Sequence, residues 1–126
     1  MESLFEEVSR CRKWIEAALE YSGRTHTFDD IVAGIFSQKM QLWGNKNSAV
    51  VTEIVVYPQS KVLNFFLAGG DLDELKQMRP HIEAWAAGLG CKRVTLSGRP
   101  GWAKTFLKDE GYKPMWFVMA KELGSD

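Results

Sequence analysis

The stretch SAVVTEIVVYPQSKVLNFFLAGGDLDEL, residues 48–75, decides the fold. Ser48 to Tyr57 is rich in β-branched residues, Pro58-Gln59-Ser60 carries a tight-turn signal, and Lys61 to Ala68 (KVLNFFLA) returns. The pair reads as an antiparallel hairpin. Apart from Thr52, Glu53 and Asn64, both strands are apolar on both faces. A sheet that is apolar on both sides is covered on both sides, so helices must lie above and below it. Gly69-Gly70 then leads into Asp71-Leu72-Asp73-Glu74, a D-x-x-E capping box that opens a helix.

The flanks supply the covers. From Leu4 to Tyr21 the apolar residues Leu4, Phe5, Val8, Cys11, Trp14, Ile15, Ala18 and Leu19 recur at spacings of three and four, the mark of an amphipathic helix closed by Ser22-Gly23. A second helix starts after Thr27, with Asp29 and Asp30 in its first turn and Ile31, Ile35 and Phe36 as its stripe. Met40–Trp43 reads as a short strand closed by the turn Gly44-Asn45-Lys46-Asn47. Beyond the hairpin, Leu72, Leu75, Met78, Ile82, Trp85, Ala86 and Leu89 carry helical spacing to Gly90, with Pro80 set to kink the helix or restart it. Arg93–Ser97 reads as a strand, residues 98–101 as a loop, Trp102–Glu110 as a short helix, and Pro114–Lys121 as a last strand. The expected class is α+β: a twisted, mixed, largely antiparallel sheet of about five strands with helices on both faces, in the order α-α-β-β-β-α-β-α-β. Residues 1–126 show no linker or repeat, so a single domain is expected.

Composition closes off several classes of function. Hydrophobic residues make up 45% and charged residues 25%, which excludes wholesale disorder. Sixteen Lys and Arg against sixteen Asp and Glu make nucleic acid the least favoured partner. Cys11 and Cys91 are too few for a disulfide framework or a four-ligand zinc site, and His26 and His81 have no ligand or triad partner at a recognisable spacing, so no metal is expected. The charged N-terminus does not read as a signal peptide, and there is no run of about 18 apolar residues, so no membrane span is expected. A reducing, cytoplasmic compartment is the expectation.

The order of elements, and above all RVTLSGRPGWAKTFLKDEGYKPMWFVMAKEL (residues 93–123), resembles the GNAT (Gcn5-related N-acetyltransferase) superfamily. Gly111-Tyr112 stands in the place of the family's Gly-aromatic pair, and Ala103 in that of the small residue near the start of its short helix. More narrowly, the chain looks like the small GNAT-like proteins of tailed phages and prophages, which would place it in the host cytoplasm or in a virion. The resemblance implies acyl-CoA, with acetyl-CoA the expected cofactor. It would lie in a gap where the strand before the long helix splays from its neighbour, with the diphosphate on the helix N-terminus. It implies Leu67, Ala68, Gly69 and Gly70 as one wall, and Arg99 and Lys104 as holders of the outer phosphates. The family's Gln/Arg-x-x-Gly-x-Gly/Ala signature is replaced here by Leu67-Ala68-Gly69-Gly70-Asp71, followed by Asp73 and Glu74. The place of its general-acid Tyr falls on Leu107.

Read on their own, the polar islands have two meanings. Glu53, midway along an apolar strand, suits a general base whose pKa burial would raise; the plainer reading is a carboxylate paired across the sheet. Asn64 is a satisfied sheet residue or a substrate contact. Lys92, Arg93, Arg99, Lys104 and Lys108 fall in a stretch without a single acid. That face suits a phosphate, an acidic protein partner or simple solvation. Two functions are therefore expected as alternatives. One is an acyl-CoA-dependent N-acetyltransferase with Glu53 as base. The other is a catalytically inactive GNAT-derived virion or host-interaction protein that binds partners, or a second copy, through the basic face or an open sheet edge.

Overall fold

The structure is a computed structural model in which residues 1–98 and 106–124 are described. Helices α1 (Leu4–Leu19) and α2 (Phe28–Phe36) precede strands β1 (Met40–Gly44), β2 (Ser48–Val56) and β3 (Lys61–Gly70). Helix α3 (Leu72–Gly88), strand β4 (Arg93–Leu96) and a 3₁₀ turn (Phe106–Glu110) follow. Among the described residues no helix is long and apolar enough to cross a membrane.

Local chemistry sets the helix ends. Ser3 caps α1 through a reciprocal box with Glu6, and Thr27 caps α2 through one with Asp30, whose carboxylate accepts from the Thr27 amide at 2.8 Å. Asp71 caps α3 by accepting from the Glu74 amide at 3.0 Å. The reciprocal half of that expected box is absent: the Glu74 carboxylate reaches across to β2 instead. Pro80 does not break α3, which continues to Gly88. Its last turn is closed from outside by Lys61 Nζ, which donates to the Leu89 carbonyl at 2.8 Å.

The described strands form one mixed α+β sheet in the order β1-β2-β3-β4. The first three pair antiparallel as a meander, and α3 carries the chain over to β4, which lies parallel to β3. Helices α1 and α2 cover one face, where Val8, Cys11, Ile15, Ile31 and Ile35 meet Ala49, Val51 and Leu67. Helix α3 covers the other face, where Leu75, Ile82 and Ala86 meet Val50, Leu63 and Phe65. The doubly apolar hairpin is thus buried from both sides, as its composition requires. Thr52, fully buried, is satisfied twice: it accepts from Trp43 Nε1 at 3.0 Å and donates to Gln41 Oε1 at 2.8 Å.

Four expectations differ from the structure. Phe36, expected in the buried stripe of α2, is exposed because Ile31 and Ile35 alone set the face that meets the sheet. Leu72, Trp85 and Leu89, which share the helical spacing of α3, lie at its exposed flanks, with Trp85 edge-on to Trp43. The described part of the Trp102–Glu110 helix is a 3₁₀ turn rather than an α-helix. Pro114–Lys121 joins no strand, so the described sheet has four strands where about five were expected.

Candidate functional site

The functional geometry starts from one extra residue in β3. Val51 pairs with Leu67 and Thr52 with Phe65, which leaves Phe66 as a β-bulge without a partner on β2. On the other side of β3, the parallel pairing with β4 runs from Val62↔Arg93 to Phe65↔Leu96 and stops at the same level. Beyond it, Ser97 and Gly98 are exposed and outside any strand. Among the described residues, nothing pairs with the β4-facing edge of Phe66–Gly70. Together the bulge and the end of the ladder make a fork, and one wall of the fork is a row of strand amides and carbonyls.

A polar row crosses the sheet one residue before the fork. Glu53 on β2 stands opposite Asn64 on β3, and Asn64 opposite Thr95 on β4. Thr95 Oγ1 donates to Asn64 Oδ1 at 3.0 Å, and Asn64 Nδ2 donates to Glu53 Oε1 at 3.0 Å. The chain of donors ends on a carboxylate, and among the described residues the second Glu53 oxygen has no partner. All three side chains are half-buried. By strand alternation they lie on the α1/α2 face, opposite to Leu63, Phe65 and Val94. Glu53 is therefore paired across the sheet, as its plainer reading has it, one register position before the last β3–β4 pair. Thr95 was not singled out in the sequence, because a threonine in RVTLS is an ordinary strand former.

The expected cofactor wall has a different character. Leu67 is buried under α1, and Ala68 packs toward α3. A Cβ on Gly69 would sit 2.6 Å from the Trp14 carbonyl oxygen, and one on Gly70 would sit 2.2 Å from the Asn47 carbonyl oxygen. The two glycines are thus required by protein backbone pressing on them. The first turn of α3 is likewise occupied. The Asp71 amide donates to Asn47 O at 2.9 Å, the Asp71 carboxylate takes the Glu74 amide, and Glu74 accepts from the Ser48 hydroxyl at 2.6 Å and from the Asn47 amide at 2.9 Å. The Ser48 hydrogen bond, with help from Asn47, holds the Glu74 carboxyl below the usual carboxylate range. A diphosphate placed there would meet the carboxylates of Asp71, Asp73 and Glu74 and find the Asp71 and Glu74 amides already in use, so this helix end fits it poorly. The open edge at Phe66–Gly70 does fit an amide-bearing arm, which could pair with it as an added strand does.

Arg99 and Lys104 lie outside the described residues, as do Trp102 and Ala103. Lys92, Arg93 and Lys108 are exposed, and Lys92 continues the sheet by donating its amide to Lys61 O at 2.8 Å. Leu107 is buried, so the general-acid place is filled by packed hydrocarbon. Tyr112 donates its hydroxyl to Glu83 on α3, and Arg79 bridges Glu83 at 2.7 Å and Glu110 at 3.0 Å. Burial, then the bond to Glu83, pushes the Tyr112 phenol well above its ordinary range, so it is a fixed anchor rather than a proton donor. Of two shallow hollows, one lies at Glu7, Trp43 and His81, and the other, at Glu20, Arg24 and Asp30, includes His26, whose ring centroid is 4.8 Å from that of Phe66.

No family model matches the chain, and no curated protein is similar to it. Solved structures are. The tetramutant of BH1408 protein from Bacillus halodurans superposes with a TM-score of 0.66 at 15% identity, over 94% of each chain. Wild-type TTHA1254 from Thermus thermophilus superposes with a TM-score of 0.63 at 15% identity, over 94% of this chain and 95% of that one. Likeness at this identity establishes a shared fold over nearly the whole chain and nothing of function.

Proposed function

We propose that the chain is a GNAT-type protein that takes an acyl-CoA into the fork between β3 and β4 and transfers the acyl group to an amine. The observation that supports this is the coincidence of the Phe66 bulge with the end of the parallel ladder after Phe65↔Leu96, which frees a strand edge at mid-sheet. The pantetheine amides pair with that edge, and the acyl-CoA supplies an activated thioester. Because the α3 terminus is filled by its own carboxylates, the phosphates depend on Arg99 and Lys104 instead. The acceptor amine approaches from the α1/α2 face, where the Glu53–Asn64–Thr95 row points. Glu53 takes the ammonium proton, directly or through one water, while Asn64 fixes the carboxylate's orientation. Leu107, at the acid position, has no proton to give the departing thiolate, so turnover is slow.

The buried Leu107 and the carboxylates at α3 favour a second reading: a GNAT-derived interaction protein, of the phage virion or host-directed kind, that keeps the scaffold without the chemistry. Thermal unfolding with acetyl-CoA separates the two. A ligand at 100 times its Kd adds about 2.7 kcal/mol to a protein that binds it. Stabilisation by acetyl-CoA that survives in Glu53→Gln, together with acyl transfer that does not, supports the transferase. No stabilisation at millimolar acetyl-CoA leaves the interaction protein.

A further inference from the structure

After Tyr112 the chain leaves the molecule as Lys-Pro-Met-Trp-Phe-Val-Met-Ala-Lys, residues 113–121. Met115, Trp116, Phe117, Val118 and Met119 are all exposed, Phe117 by 94% and Met119 by 93%. No other described segment presents five consecutive large apolar side chains to solvent. The composition is that of a strand buried on both faces, since Trp116 and Val118 would point one way and Met115, Phe117 and Met119 the other. Its root is fixed: Tyr112 is held on Glu83, and Glu110 on Arg79, both on α3.

The sheet holds a matching vacancy. Strand β4 is an edge, paired with β3 on one side, and among the described residues nothing pairs with its outer side. On the α3 side, Val94 and Leu96 of β4 pack into the core; among the described residues the main helix contacts are with the inner strands, α1 on β1, β2 and β3 and α3 on β2 and β3. Within one chain, residues 113–121 belong to no strand, so among the described residues both the β4 edge and the strand-like tail are left unpaired. A second copy of the molecule supplies a partner for both.

We infer that residues 114–121 of one copy add to the β4 edge of a second copy, and reciprocally, in a two-fold exchanged dimer. This rests on the tail and the edge alone and is independent of acyl transfer. Trp116 and Phe117 bury roughly 150–250 Å² each when enclosed, or about 300–500 Å² per tail. Counting both tails and the equal surface each covers gives about 1,200–2,000 Å², the size of a stable protein interface.

Light scattering on the full chain, eluted from a sizing column at high micromolar loading, is expected to give the dimer mass. Trp116→Glu with Phe117→Glu is expected to give the monomer with an unchanged circular dichroism spectrum, because both side chains are largely exposed within one chain, Trp116 by 63% and Phe117 by 94%. Exchange is read directly in a Cys91→Ser background. Copies carrying Arg93→Cys are mixed with larger, tagged copies carrying Trp116→Cys, Phe117→Cys or Val118→Cys, so that every register is sampled. A disulfide joining the two masses in at least one pairing supports the exchange. A monomer at all concentrations overturns it, as does a dimer that persists in the double glutamate variant. A disulfide that forms only within one chain, when both cysteines share it, also overturns it.

Discussion

Replacing Gly70 by alanine tests whether the diglycine corner is built for the protein's own backbone. Gly70 has φ +106°, and an added Cβ would meet Asn47 O at 2.2 Å and Ser48 Cα at 2.6 Å. Neither neighbour can retreat cheaply. Asn47 O holds the Asp71 amide at 2.9 Å, and the Ser48 hydroxyl holds Glu74 at 2.6 Å. The conformation itself costs an L-residue roughly 1–3 kcal/mol. Forcing a methyl group into packed surroundings adds roughly another 1–3 kcal/mol. Gly90 is the internal control, with φ +89° and nothing within 4 Å of its added Cβ. Gly90→Ala therefore carries the conformational cost alone, and Gly70→Ala should exceed it by about 2 kcal/mol. Urea unfolding followed by tryptophan fluorescence reads both losses, and with a slope of about 1–3 kcal/mol per molar the extra loss moves the midpoint by about 1 M. Equal losses in the two variants would refute the steric account and return the corner to a ligand.

Other expectations follow from the same packing and hydrogen bonding. Leu63 is 0% exposed between β2, β4 and α3, so Leu63→Ala should cost about 2–5 kcal/mol in urea unfolding, and a loss below about 1 kcal/mol would contradict the packing. The depressed Glu74 carboxyl contributes stability above its unfolded pKa of about 4.3, and that contribution fades as pH falls through the lower folded value. Glu74→Gln should therefore flatten the acid limb of a stability–pH curve, and an unaltered limb would show that the Ser48 bond is immaterial. The raised Tyr112 phenol works in the opposite direction: its contribution is whole below the unfolded pKa of about 10 and fades as pH rises above that. Tyr112→Phe should remove this alkaline loss, and a variant with the same alkaline profile would place the loss elsewhere.

The helices and the hairpin were legible because their signals are local. The Thr27 box and the stripe Val8–Cys11–Ile15 depend on neighbours three or four residues away, and both stand where periodicity puts them. The errors are non-local. Leu72, Trp85 and Leu89 share the spacing of a buried stripe, but Leu75, Ile82 and Ala86 set the face that meets the sheet, which leaves the others on its margins. Pro114–Lys121 has strand composition, yet composition supplies willingness to pair and no partner. Gly69 and Gly70 were readable as glycines that something approaches, but nothing near them in sequence says that Trp14 and Asn47 are what approaches. Glu53 and Asn64 stood out as separate polar islands; only the strand register makes them one row with Thr95.

The bulge at Phe66 has a consequence for how this sheet can change. An inserted residue normally inverts inside and outside for the rest of a strand. Here Phe66 and Leu67 both turn toward the α1/α2 layer, Phe65 and Ala68 both toward α3, so the insertion is absorbed and the core on either side keeps its parity. Losing that single residue would keep the alternation of β3, with Phe65 toward α3 and Leu67 toward α1/α2, but it would remove the Phe66 ring from the α1/α2 core, where it packs edge-on to His26. Whether the β2–β3 register is interrupted at mid-strand is thus decided by one codon, with the inside and the outside of the sheet left as they are.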